Sequence, residues 1–399
     1  MKIASVELYL LDGGRPGWRP IVCRVNTDED LYGYGEASVG FDAGANGAFG
    51  MLREIAPMVV GMDPMAGEAV WDHMFSDSFW GQGGGAAVFG AISAIDTALW
   101  DIRGKALHTP IWQLLGGKMR ARLRAYASQL QFGWGEDGMV FDRGYRAEDL
   151  AEHAEKAVSE GFQAVKINFI TYGPDGGRLG FLRGPIPLPL QHLIEARVRA
   201  VREAVGPDVE ILAENHGRTD GVSAVQLAHL LEPYGILLME EPCTPFCLQT
   251  CRKIHAECQI PIAGGERVFG RWNYLNLFQA NAIQVAQPDI GTCGGMTEAK
   301  KICDLAHAFD VTVQTHVCGS PIAIAASLHL ECAIPNFLIH EHHVTNRSAD
   351  NRSLGLYDYQ PVNGFCTVPD LPGLGQELSG KAIQTALAHV TVDEPLSGR

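Results

Sequence analysis

Long apolar runs are missing from this sequence. None reaches 18 residues, so no membrane-spanning helix is expected. The opening stretch MKIASVELYLLDGGRPG has one Lys, lacks a small-residue cleavage site and alternates like a strand, so no secretion signal is expected and a cytoplasmic protein is. Positive charge is scarce: 31 Lys and Arg face 46 Asp and Glu, a net charge of −15. That balance argues against nucleic acid and anionic membranes as partners, though a local cationic site for an anionic substrate is compatible with it. The ten Cys include no C-x-x-C and form no secreted disulfide framework. Cys243, Cys247 and Cys251 recur every four residues, as along one helix face, and read as buried reduced thiols.

What the chain does have is a ladder. Short apolar runs end in polar residues at Glu214, Glu240, Glu266, Asp289, His316 and Glu341, in steps of 26, 26, 23, 27 and 25 residues. A strand, a loop, a helix and a return take about this many residues in a (β/α)₈ barrel of roughly 250 residues. The loops after the strands hold the active site in that architecture. Eight runs fit, at 124–130, 164–168, 210–214, 235–240, 261–266, 283–289, 311–316 and 337–341. At 399 residues the chain has room for such a barrel and a smaller companion.

That companion is read at the start. ASVELYLL, PIVCRVNT and LYGYGEAS look like antiparallel strands, with Gly33 and Gly35 marking tight backbone, and helical signals follow to about residue 115. Strands followed by helices without alternation suggest a separate α+β domain. The expected division is 1–118 for a capping domain, 119–355 for the barrel, and 356–399 for a tail returning to the cap. The loop GGRPGWRP reads as a mobile element with Trp18 and Arg19 near its tip. Two long inserts, 131–147 and 171–190, read as lids and carry Arg143, Tyr172, Arg178 and Arg183.

Three carboxylates ending successive strands, Glu214, Glu240 and Glu266, make an oxygen donor set suited to Mg²⁺ or Mn²⁺. Strand alternation puts His216 on the same side as Glu214 and turns Glu241 away from Glu240. Asp289 and His316 end neighbouring rungs. A carboxylate on one ring nitrogen would fix the tautomer and raise the basicity of the other, as a general base requires; an ordinary structural His–Asp pair is the alternative. Lys166, after FQAV, is a candidate cation for a substrate carboxylate or enolate oxygen.

The segments YGYGEAS, DTALWDIRGKALHTPIWQLLGG, MEEP, PIAGGERVFGRW, QPDIGTCGGMTEAKKI, THVCGSPIAIAASLHLE and PDLPGLG resemble the enolase superfamily, mandelate racemase subgroup, across nearly the whole chain. Within it ENHGR, ERVFGRW, THVCGSPIAIAA and the Lys-x-Asn at 166–168 are similar to galactonate dehydratases. The resemblance implies an α+β capping domain over a modified (β/α)₇β TIM-type barrel, symmetric oligomers, and abstraction of the proton α to a carboxylate bound to Mg²⁺. Carried over by position, it implies Glu214, Glu240 and Glu266 as metal ligands, Asp289 and His316 as a dyad, His216 as the acid and Glu341 near the substrate. Asn168, Trp18 and Arg19 are further candidates for substrate contact.

Two departures from the wider family stand out. Glu214 replaces the usual Asp and is one methylene longer. Asn168 replaces the second Lys of a K-x-K pair and cannot take a proton, which disfavours a two-base racemase. The expected activity is dehydration of a sugar acid to a 2-keto-3-deoxy acid, with Lys166 helping to stabilise the enediolate. An epimerase or racemase, a lactone cycloisomerase and a non-catalytic sugar-acid binding protein are the alternatives.

Overall fold

The computed structural model of the protein describes residues 1–135 and 144–396. Strands β1 (Ile3–Leu10), β2 (Ile21–Thr27) and β3 (Tyr32–Ala37) form an antiparallel sheet. Helices α1 (Ala45–Val59), α2 (Gly67–Ser76) and α3 (Ala86–Ala106) pack with it, and the turn α4 (Ile111–Leu114) leads onward. Helix α3 is apolar nearly all round because it lies between the cap sheet and the barrel. Gly33 and Gly35 permit this: a Cβ on either would sit 2.1 or 1.9 Å from the Ala98 or Ala94 carbonyl oxygen.

The barrel begins with β4 (Arg122–Ser128), α5 (Ala147–Ser159), β5 (Ala164–Ile167) and α6 (Leu188–Val205). It continues through β6 (Glu210–Glu214), α7 (Gly221–Leu231), β7 (Ile236–Glu240), α8 (Leu248–Glu257), β8 (Ile262–Gly264) and α9 (Gly270–Gln279). Then come β9 (Val285–Ala286), α10 (Gly295–Ala308), β10 (Thr312–Val313), α11 (Pro321–Ala333) and β11 (His340–His343). The eight strands are parallel and in sequence order; β11 pairs with β4, and a bridge between Val313 and Phe337 closes the ring. Directly after β11 come two short turns, α12 (Val344–Arg347) and α13 (Ala349–Arg352), in place of an eighth long helix. Seven βα units and a closing strand therefore replace eight equal repeats.

After the barrel, β12 (Phe365–Thr367) pairs antiparallel with β4, and β13 (Ala388–Val392) joins β1 as the fourth strand of the cap sheet. The cap is thus built from both ends of the chain. Buried carboxylates dock it to the barrel at helix starts, where unpaired N–H groups favour negative charge. Asp96 accepts from Thr297 N at 2.9 Å at the head of α10. Glu36 accepts from Ser320 N at 3.0 Å and Ala323 N at 3.2 Å at the head of α11. No helix among the described residues is long and apolar enough to cross a membrane.

Candidate active site

Side chains fill the barrel interior in layers, as alternation along the strands requires. The lower layer is apolar and holds Tyr126, Ala164, Leu212, Leu238 and Ile339. Two residues further along each strand come Ser128, Lys166, Glu214, Glu240 and Glu341, all buried. Lys166 Nζ lies 2.7 Å from Glu240, 2.8 Å from Glu341 and 3.4 Å from Glu214. Glu341 also accepts from Ser128 Oγ at 2.6 Å and Val317 N at 3.0 Å.

Above this layer a cavity of 460 Å³ opens between the barrel and the cap. Glu266, Asp289, His216 and His316 line it from the barrel, and Trp18, Val39 and Phe41 from the cap. The paired parts of β8, β9 and β10 are only two or three residues long, so Glu266, Asp289 and His316 stand on loops beyond them. His316 Nδ1 is 2.7 Å from Asp289 Oδ2, and its Nε2 is 3.1 Å from Glu266. His216 reaches the mouth by a turn, not by strand alternation: β6 ends at Glu214, His216 has φ 51°, and its N–H donates to Glu214 Oε1 at 2.7 Å. Gln129 (φ 70°) and Glu241 (φ 43°) share this left-handed backbone at the same rim. Such conformations concentrate at functional sites. Asn168 Oδ1 accepts from Ile170 N at 3.0 Å, which directs its amide nitrogen to His216 Nδ1 at 3.3 Å.

The charges act on one another strongly. Burial, then the adjacent Glu214, pushes the Glu240 carboxyl up to about 8. Burial also raises Glu214 against the pull of Lys166. Burial works against a charged Glu266, yet His316 and His216 beside it hold it down to about 2. His316 is raised well above its ordinary value: burial opposes the proton, and Glu266 and Asp289 outweigh it. His216 is lowered, first by burial. At rest, therefore, the proton sits on His316.

Enolase-superfamily enzymes generally use Mg²⁺, and the donor set here fits one. Glu214 and Glu240 are cross-strand partners, and Glu214 Oε2 and Glu240 Oε1 are buried without a hydrogen-bond partner. The elevated carboxyls mark surplus negative charge that a hard cation would neutralise. Among the described residues no three acidic, His or Cys side chains already close on one point. Glu266 faces the cavity, 3.1 Å from His316.

Several expectations need correction. Lys166 and Glu341 do not line the cavity; they lie in the layer of Glu214 and Glu240 and pair with each other at 2.8 Å. Arg19 does not line the cavity; it donates to Asp42 O at 3.0 Å on the outer surface. Trp18 is buried, not at a mobile tip, because its indole N–H has a partner in Asn351 Oδ1 at 3.0 Å. Of the insert residues, Arg178 lines the cavity and Arg183 packs over Phe181 instead. Arg143 lies outside the described residues. Of the three clustered Cys, only Cys251 is in α8, where its Sγ lies 3.3 Å from that of Cys243, and Cys247 is exposed.

His343 and Gln129 were missed, and both line the cavity. His343 sits two residues beyond Glu341 on β11, so alternation alone would have pointed it inward. Its Nδ1 accepts from Thr345 N at 3.0 Å, which leaves the proton of the neutral ring on Nε2. Burial keeps that ring neutral, with its pKa pushed down to about 3.

Residues 149–382 match the family described as Enolase C-terminal domain-like, and residues 18–116 match the Mandelate racemase / muconate lactonizing enzyme N-terminal domain. Among solved structures, a Zymomonas mobilis ZM4 protein called a "putative dehydratase" is 47% identical with a TM-score of 0.95, covering 98% of this chain and 99% of that one. A member of the enolase superfamily from Salmonella Typhimurium is 44% identical, also with a TM-score of 0.95 and the same coverage. The 3,6-anhydro-D-galactonate cycloisomerase of Zobellia galactanivorans is 28% identical with a TM-score of 0.82, covering 97% of this chain and 100% of that one.

Proposed function

From the fact that the chain belongs to the enolase superfamily, mandelate racemase subgroup, we propose that it is a Mg²⁺-dependent hydro-lyase that dehydrates a sugar acid, an aldonate or aldarate. The observation that carries this reading is the pair of histidines, His216 and His316, bordering one cavity with Glu266 between their charges. Glu214, Glu240 and Glu266 would hold Mg²⁺, which would supply Lewis-acid stabilisation of the charge that develops on the substrate carboxylate. Lys166, within the same layer, pairs with Glu240 and Glu341 and adds positive charge to the site.

His316 takes the C2 proton at Nε2, while Asp289 accepts from Nδ1 and fixes the ring. His216 gives a proton to the C3 hydroxyl, which leaves as water, and the enol becomes a 2-keto-3-deoxy acid. The side-chain amide nitrogens of Asn168 and Gln129 lie 3.3 and 3.4 Å from His216 Nδ1 and Nε2 and hold the ring in place at the mouth. The base must be neutral, yet the resting proton sits on His316. Once Glu266 is committed to a cation, His316 loses the charge that most strongly holds that proton. Metal loading is therefore expected to lower the His316 pKa.

The resting charges favour a second reading in which the roles are exchanged, His216 as base and His316 as acid. Exchange of the C2 hydrogen in D₂O separates the two. If His316 is the base, His316→Asn loses exchange, and His216→Asn retains it while losing water elimination. The reverse pattern overturns the assignment.

The primary test mixes purified protein and Mg²⁺ with a set of aldonic and aldaric acids and looks for 2-keto acids. Chelation with EDTA should remove the activity and Mg²⁺ should restore it. Isomerised or ring-opened product without loss of water would instead support a cycloisomerase or epimerase. Binding with no turnover of any acid would support a non-catalytic role.

A further inference from the structure

The cavity wall carries two arginines without an acidic partner. Arg178 lies on the segment after β5 and Arg218 on the loop after β6. Neither forms an ion pair among the described residues. A third arginine of the wall, Arg267, is already held by Glu241, with its Nε 2.9 Å from Oε1. Arg218 is oriented but not neutralised: one terminal nitrogen donates to Leu179 O, and its Nε is buried with no partner. The two cations are tied to one flank of the mouth, because Leu182 N donates to Arg218 O at 2.9 Å and Leu182 bridges Thr219.

A part-buried guanidinium with an unused N–H is unfavourable unless an anion completes it, and its planar fork suits carboxylate or phosphate. The chain's own acids are not used for this, although they outnumber its bases. The reacting carboxylate does not need these arginines, since its place is at the floor, beside Glu266 and the two histidines. A substrate carbon between His216 and His316 sends the rest of its chain toward the rim, where Arg178 is exposed.

We propose that Arg218, assisted by Arg178, receives a second anionic group at the end of the substrate remote from the reacting carboxylate. The substrate class is then a dianion, an aldarate or a terminally phosphorylated aldonate. This rests on the sugar-acid reading above and narrows it.

The test is calorimetric binding to the Mg²⁺-loaded protein, with kcat/KM measured alongside. The probes are aldonates, aldarates of the same configuration, and terminally phosphorylated aldonates. One dianion should bind at least about tenfold more tightly than its monoanionic counterpart, the worth of a charge-assisted contact. Which dianion is preferred distinguishes carboxylate from phosphate. Arg218→Gln should reduce that preference to near parity, and Arg178→Gln, on an exposed segment that can change without refolding the wall, should reduce it in part. Equal binding of monoanions and dianions overturns the proposal, as does a preference that survives both substitutions. If no acid is dehydrated but the dianion preference and its loss in Arg218→Gln are measured, the lyase reading fails and the anion site stands.

Discussion

Two histidines of the barrel bring Nδ1 to 2.7 Å from a carboxylate, His316 to Asp289 and His340 to Glu331, and only His316 borders the cavity. Both are raised well above the ordinary histidine value; burial opposes the proton in each, and carboxylates outweigh it. Their surroundings differ. His340 and Glu331 have no exposed side-chain surface and sit between β11 and α11, with Thr315 Oγ1 donating to the second Glu331 oxygen. The His316 side chain keeps 17% of its surface and lines the cavity, with Nε2 3.1 Å from Glu266, another lining residue. An identical local pair is therefore sealed in one place and open to the cavity in the other. What separates them is whether the second nitrogen can meet a substrate.

The sharpest way to break this comparison is a matched pair of substitutions. His316→Asn should lower kcat by roughly 10³–10⁴-fold, the upper range for a lost general acid or base, with little change in melting temperature. His340→Asn should do the reverse, preserving kcat and lowering the melting temperature. Equal loss of turnover in both would end the distinction.

Next in size is Glu331→Ala, which strands the buried His340 without its counter-charge. Urea unfolding at neutral pH should show a loss of about 3–5 kcal/mol, the range for breaking a buried ion pair.

Glu36, another sealed carboxylate, sharpens the contrast through pH. Burial pushes it up to about 7 from 4.5 despite the hydrogen bonds from Ser320 and Ala323. Between those values the folded state keeps a proton that the unfolded state has released. Its contribution to stability is thus full below 4.5 and is lost as pH rises to about 7. The difference is about 3 kcal/mol by linkage, and Glu36→Gln should flatten that part of the stability–pH curve.

The smallest effect is expected at His343, which offers one neutral N–H to the cavity. His343→Phe should raise KM by about tenfold, one hydrogen bond's worth, with a lesser change in kcat. His343→Gln, whose amide nitrogen falls near the lost Nε2, should recover part of it. An unchanged KM in both variants would remove His343 from substrate contact.

Much of the molecule was legible because its periodicities are local. The spacing of Glu214, Glu240 and Glu266 reports strands and crossovers, and the helical signals before residue 115 report the cap. Lys166 and Glu341 stand at the ends of the strands on which they were read, in one layer with Glu214 and Glu240 and paired with each other. Sequence shows which strand face a residue takes, not whether another charge will already have claimed it. His216 came out at the mouth through a left-handed turn, although the reasoning from alternation assumed a strand. His343 stands among four consecutive polar residues, His340 to His343, whose lack of apolar alternation hides the inward face of β11.

Local pattern was enough for the barrel, the cap and the chemical types gathered at the mouth, since strand and helix periods and parallel order are properties of short stretches. Packing in three dimensions chose which His–carboxylate pair is sealed and which is open, and it paired Lys166 with Glu341. It also left Arg218 without an acidic partner among the described residues and turned Trp18 inward onto Asn351. Those outcomes depend on contacts between residues far apart in the chain, such as Trp18 with Asn351 and Lys166 with Glu341. Burial and electrostatic pairing are set by that long-range arrangement, and no short window of sequence contains it.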